Sequence, residues 1–386
     1  MADTTFTSMG KGPGTSAEEW IRFYNAADIW QGIRRGNEER LKRGEFDLRW
    51  LKSDGGVWGL KVEPTAHGMT FVEINRRTHL GEIADEAEHR NMAPRGSIRD
   101  PYKDQMPEFT HYDLTRKHEF WSDSVVSLYE EAKARQWNAS TDIPWQELEP
   151  ISEDLERAAC QFATFLNEVE FVAGDFPSIW MHRIPNEYFE AKAFLASQIT
   201  DEARHAEVFR KRAVANGGGL LHVGAGFEWA LKAILDAPSH TLGTFMLNVL
   251  AEGLVLSMFR AGEFIAKTRV DKEIFRRCMQ DEARHVSYGT MHLKYFLEHA
   301  PDRAKALEVM HGYADVGEQV ILTALTEPLL LEPLAVLMGG GLKNIDQGMD
   351  GVRFLWATMM EEYLQRCDRA GFSRRDLIKI PTEFPY

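Results

Sequence analysis

The pentapeptide Asp201-Glu202-Ala203-Arg204-His205 recurs without change as Asp281-Glu282-Ala283-Arg284-His285, 80 residues further along. Each copy lies in a stretch with helical periodicity. Residues three apart on a helix share a face, one turn apart. Glu202 with His205, and Glu282 with His285, therefore each bring a carboxylate and an imidazole towards one point. A single Glu-x-x-His is common by chance, but two identical pentapeptides are not. A solvated face would not require all five residues to repeat. The duplication predicts two similar helices aimed at a common centre, which is the arrangement of a helix bundle carrying a metal pair.

The surrounding pattern fits that expectation. Ser152 is a plausible N-cap for a helix that runs to about Asp175 and stops before Pro177. Pro185-Asn186 opens a second helix that ends at Gly217-Gly218-Gly219. A third is expected over Thr241–Lys267, and Asp271 is expected to cap a fourth that ends before Pro301. Ahead of them, Lys117–Arg135 has helical periodicity with Phe120, Trp121, Val125, Leu128 and Ala132 on one face. The spacing predicts an all-α chain with a four-helix bundle over 116–300. Further helices over 301–386 would pack on it, with a break at Gly339-Gly340-Gly341. Residues 1–115 are rich in Gly, Pro and turn pairs. They read as an irregular arm with helical signal near Ala17–Arg43 and a possible hairpin of Val57–Val62 with Met69–Ile74.

A metal pair held by two Glu-x-x-His segments needs one further carboxylate from each remaining helix. Glu252 lies among Leu250, Ala251, Leu254, Val255 and Leu256, where an isolated carboxylate costs several kcal/mol unless paired or metal-bound. It precedes Glu282 by 30 residues. In the first helix, Leu155, Ala159, Phe162, Leu166, Val169 and Ala173 form one stripe. Glu170 borders that stripe and precedes Glu202 by 32 residues, matching the other half; Glu168, the alternative, lies further round. The reading is Glu…Glu-x-x-His, twice. Four carboxylates and two imidazoles without a thiolate suit iron or manganese better than copper or structural zinc, and four carboxylates neutralise two divalent ions.

Composition narrows the partners. The chain has 386 residues and a formal charge of −14, which repels phosphate backbones and anionic lipid surfaces. Nucleic acid and membrane are not expected as partners. Neither Phe245–Phe259 nor Leu329–Met338 reads as a spanning helix, and no signal peptide is visible. The three cysteines are widely separated, as expected of a reduced cytoplasm.

The duplicated motif resembles the ferritin-like superfamily of di-iron carboxylate proteins. Within it, the motif is similar to the Asp-Glu-x-Arg-His signature of bacterial multicomponent monooxygenase hydroxylases and related ribonucleotide-reductase-like oxidases. The resemblance covers about residues 116–300. It implies Glu170, Glu202, His205, Glu252, Glu282 and His285 as ligands, with Glu202 and Glu282 as bridges. It implies that Asp281 supports His205 and Asp201 supports His285, with Arg204 and Arg284 in support of the acids. It implies two Fe ions or a Mn/Fe pair, O2 as co-substrate, and an external electron donor such as a ferredoxin or flavin reductase. A homo-oligomer is also expected.

Some positions depart from these relatives. Phe209 stands where the radical subunit of ribonucleotide reductase has a Tyr. Leu247 stands where ligand-binding oxidases have one, and Leu256 where hydroxylases carry a Thr, with Ser257 next. The inner faces are apolar, and Phe162, Leu166, Ala173, Phe209 and Leu256 are expected near a substrate. The expected activity is an O2-dependent di-iron oxygenase acting on an apolar small molecule, aromatic ones included. A ferroxidase or metal-storage role, a ribonucleotide-reductase-like oxidase, and N-oxygenase or desaturase chemistry are the alternatives.

Overall fold

A computed structural model describes residues 16–52, 59, 61–77, 83–99 and 103–385. Among these the regular structure is helical, with only the isolated bridges Thr65–Gly68 and Glu86–Arg116 outside helices. The chain divides into two compact units, Met1–Arg116 with His182–Phe189, and Lys117–Met181 with Glu190–Tyr386.

The first unit holds α1 (Ala17–Ala26), α2 (Asp28–Lys42), α3 (Arg49–Lys52) and α4 (Phe71–Arg77). Ser16 and Glu19 form a reciprocal capping box that starts α1. The second run of the expected hairpin is helical instead, with Phe71–Ile74 lying in α4, while residues 57, 58 and 60 of the first run lie outside the described residues. The reason is local. Thr70 accepts the Val72 N–H at 3.1 Å, and Glu73 accepts the Thr70 N–H at 2.8 Å. This capping box outweighs the β-branched alternation.

In the second unit, α5 spans Val125–Ala134. It starts later than the periodicity predicts; Phe120 and Trp121 are buried ahead of it, after a 3-10 turn at Lys117–Glu119. The four long helices follow. The first, α6 (Glu153–Met181), passes through Pro177 rather than stopping before it. Phe176, Pro177 and Trp180 are all buried there, so packing of that turn outweighs the lost N–H of proline. The second, α7, spans Phe189–Ala215 after a 3-10 turn at Asn186–Tyr188. A helix not expected from sequence, α8 (Ala225–Leu235), lies in the following connector.

The third long helix is broken in register. It begins as α9 (His240–Thr244), continues as a π-helical segment over Phe245–Ala251, and resumes as α10 (Glu252–Ile265). By length and composition His240–Ile265 could cross a membrane, contrary to the sequence reading, and 83% of its most apolar window is buried inside the protein. The fourth, α11, spans Arg269–His299. Its cap is Thr268, whose Oγ1 accepts the Asp271 N–H at 3.0 Å, rather than Asp271 itself.

Beyond the bundle, α12 (Arg303–Leu325), α13 (Pro328–Gly339) and α14 (Ile345–Ala370) complete the unit. Gly340 ends α13 in the left-handed conformation, φ 71°, which favours glycine. α13 packs on α6, and α14 packs on α10 and α11.

Candidate metal centre

Each of the four long helices supplies acid to one buried point. Glu170 comes from α6, Glu202 and His205 from α7, Glu252 from the start of α10, and Glu282 and His285 from α11. All six side chains are at most 2% exposed. They form two overlapping groups: Glu170, Glu202, His205 and Glu282 in one, and Glu202, Glu252, Glu282 and His285 in the other. Within each, one ligand atom per residue lies within 4.8 Å of the others. Glu202 and Glu282 belong to both groups.

The imidazoles are oriented across the two halves of the repeat. Asp281 accepts from His205 Nε2 at 3.2 Å, and Asp201 accepts from His285 Nε2 at 3.3 Å. The Nδ1 atoms then face the carboxylates. His205 Nδ1 is 3.2 Å from Glu202 and 3.3 Å from Glu282; His285 Nδ1 is 2.9 Å from Glu202 and 3.3 Å from Glu282. The two arginines tie the aspartates together. Arg204 donates to Asp201 at 2.5 Å and Asp281 at 2.7 Å, and Arg284 to Asp201 at 2.8 Å and Asp281 at 2.5 Å.

Several polar residues outside the duplicated pentapeptides support the centre. Trp137, in the connector after α5, donates its indole N–H to Asp281 at 2.7 Å. Its ring stacks towards His205 and lies 4.7 Å from the Arg204 guanidinium carbon. Asn248 donates to Glu252 at 2.7 Å and Gln198 donates to it at 3.2 Å. Asn248 lies one turn before Glu252, and Gln198 one turn before Glu202, so an amide one turn ahead of a ligand was a readable cue. Cys278, one turn before Glu282, is fully buried within hydrogen-bonding reach of His205, and burial pushes its thiol up to about 11. A thiol therefore borders a centre that the donor count had described as oxygen and nitrogen only.

Burial pushes Glu170 and Glu252 well above the usual carboxylate range, and neighbouring glutamates add to it. Against the same burial penalty, His285 and His205 hold Glu202 below that range. Burial opposes charge on the imidazoles too, but the acidic surroundings outweigh it and raise both. Glu170 Oε1, Glu202 Oε1, Glu282 Oε2 and His285 Nδ1 are buried without a hydrogen-bond partner. Buried ligand atoms crowded together without hydrogen-bond partners are what two cations would satisfy, so the residues present fit a metal pair.

Glu168 faces elsewhere. It is half-buried near Glu228 and Glu327, and burial with those acids raises it to about 8. Of the expected pocket residues, Phe162, Leu166 and Phe209 line an apolar cavity of about 40 Å³ with Ile274 and Phe275. Leu166 is one turn from Glu170 and Phe209 one turn from His205, but none of the six ligands itself lines the cavity. Ala173 and Leu256 do not line it, and Leu256 is only half-buried. Ser257 turns away as well, donating to Glu362 of α14 at 2.6 Å.

An all-α bundle whose four helices converge on a carboxylate–histidine cluster able to hold two metal ions has the ferritin-like fold. No protein-family model and no curated protein matches the chain. Among solved structures it is similar to an R2-like ligand-binding oxidase with an aerobically reconstituted Mn/Fe cofactor. The match has TM-score 0.52 at 17% identity and covers 66% of this chain and 94% of that one. A mutant of such an oxidase with an Fe/Fe cofactor matches with TM-score 0.52 at 17% identity, over 66% and 95%. Another, with an anaerobically reconstituted Mn/Fe cofactor, matches with TM-score 0.52 at 19% identity, over the same shares. The likeness is one of fold.

Proposed function

We propose that this chain is an O2-dependent oxidase whose cofactor is an Fe/Fe or Mn/Fe pair held by Glu170, Glu202, His205, Glu252, Glu282 and His285. The observation that carries the reading is the pair of overlapping ligand groups, each of three carboxylates and one imidazole, sharing Glu202 and Glu282. Hard oxygen donors with one borderline nitrogen per ion select iron or manganese, and such a pair supplies redox chemistry with dioxygen. The chain's own residues do the rest. Asp201 and Asp281 fix the imidazoles with Nδ1 inward. Arg204 and Arg284 compensate those aspartates, and the 0–2% exposure of the ligands excludes bulk water.

The finer reading is a monooxygenase acting on a small apolar molecule. It is supported by the apolar cavity against Leu166 and Phe209. At about 40 Å³ that cavity is well below the roughly 150 Å³ that holds benzene in an engineered core, which favours a small aliphatic group over an aromatic ring. Electrons come from a separate ferredoxin or flavin reductase in this reading. Three buried, unpaired cysteines are in keeping with a cytoplasmic setting.

The test is anaerobic loading with Fe(II), then addition of O2, following O2 uptake and visible absorption with and without small alkanes. O2 consumption coupled to an alcohol product supports oxygenation. Iron oxidation that no organic compound influences refutes the monooxygenase reading and leaves the oxidase. Glu252→Ala is expected to lose one of the two ions; full occupancy in that variant overturns the ligand assignment.

A further inference from the structure

The π-helical segment ends at Glu252, whose N–H bonds to the Leu247 carbonyl five residues back. A π turn holds one residue more than an α turn, so it rotates everything after it, and it survives only where neighbours hold it. Outside the four-helix bundle, α12 touches this segment and so does α14. From α14 Arg366 reaches in, 8% exposed, and its Nε donates to the Val249 carbonyl at 3.0 Å, inside the π segment. Gly253, the residue after Glu252, makes the approach possible. A Cβ there would fall 2.5 Å from Cζ, Nε and Nη2 of Arg366. Nη2 has no hydrogen-bond partner. Burial of the guanidinium lowers its pKa to about 10, so it stays charged near neutral pH against a burial penalty.

We propose that Arg366 is a positioning residue for the metal centre: it holds the π segment that aims Glu252 at the site shared with His285. The inference rests on the dimetal reading above. It divides the centre into unequal halves. Glu170 is presented by a continuous α-helix, whereas Glu252 depends on a guanidinium supplied by α14.

Three variants test it. Arg366→Met keeps the stem and removes the donor. Gly253→Ala leaves Arg366 intact but displaces its guanidinium. Arg366→Lys restores a charged donor without the planar fork. Mn(II) binding is followed by EPR of free and bound ion, with far-UV circular dichroism as the check on folding. The wild-type chain is expected to bind two ions. Arg366→Met and Gly253→Ala are expected to weaken one of them about tenfold to a hundredfold, the usual effect of removing a residue that orients a ligand, and to leave the other within about threefold. Arg366→Lys should recover part of the loss. In the Glu252→Ala background, Arg366→Met should cause no further loss, because the residue acts through Glu252.

Equal weakening of both ions, additive loss in the double variant, or unchanged binding in a folded Gly253→Ala variant would each overturn the inference. A wild-type chain that binds fewer than two ions would instead refute the dimetal reading.

Discussion

Metal loading should expel protons, and the structure sets how many. In the metal-free protein, burial holds Glu170 and Glu252 well above the ordinary carboxylate pKa, and acidic neighbours hold His205 and His285 above the ordinary imidazole value. These four groups keep protons that the unfolded chain releases. A folded pKa above the unfolded one contributes stability that is complete below the unfolded value and is lost as pH rises through the folded value. The metal-free fold is therefore expected to weaken as pH climbs, from above about 4 for the two glutamates and from above about 6.5 for the two imidazoles, the unfolded values of each. Glu202, Asp201 and Asp281 are shifted the other way. Their contribution is lost only as pH falls below about 4, the unfolded carboxylate value, so it is constant near neutrality.

Two divalent ions need those same lone pairs, so binding the pair displaces up to four protons near neutral pH. Each displaced proton makes affinity about tenfold stronger per pH unit, or about 1.4 kcal/mol. Isothermal titration with Mn(II) at pH 7, in buffers of different ionisation enthalpy, counts the protons directly. Melting curves of metal-free protein from pH 6 to 9 give the stability side. The expected result is release of three to four protons per metal pair and a melting temperature that falls with pH. Release of fewer than two, or a metal-free melting temperature that rises over this range, would refute the reading that these acids and imidazoles share protons.

Two further predictions concern neighbours of the centre. Glu168→Gln should leave Mn(II) stoichiometry and affinity unchanged, since Glu168 faces Glu228 and Glu327; loss of one ion in a binding titration would return it to the ligand set. Asp281→Asn removes the charge that faces Arg204, Arg284, Trp137 and His205. Leaving two buried guanidiniums undercompensated should cost about 3 kcal/mol in urea unfolding of the metal-free protein, and should weaken metal binding about tenfold or more.

What was legible in the sequence follows from what repeats. Glu202, His205, Glu282 and His285 were found because helical spacing and duplication act locally. Glu252 was found because a carboxylate within an apolar run needs a partner. The π segment was not legible, because an inserted residue changes register without changing hydrophobicity: Phe245–Ala251 reads as ordinary apolar helix. Pro177 misled in the opposite sense, since a local breaker was outweighed by burial of Phe176 and Trp180. Trp137 and Arg366 act from outside the four long helices, at separations in the chain where no periodicity links them to the residues they touch.

The repeat also hides an interdependence. Each half contains an aspartate, a glutamate, an arginine and a histidine in one pentapeptide, so each half looks self-sufficient. In the fold the aspartate of either half serves the other half's histidine, and both arginines span both aspartates. Neither helix hairpin can orient its own imidazole. Separating α7 from α11 would take the aspartate from each histidine and break the Arg204–Asp281 and Arg284–Asp201 pairs, leaving each aspartate only the arginine of its own helix, a loss of several kcal/mol for buried charges. Docking of the two hairpins and orientation of both imidazoles therefore use the same pairs, so metal binding is expected to be coupled to docking. A substitution in either copy removes support from both halves.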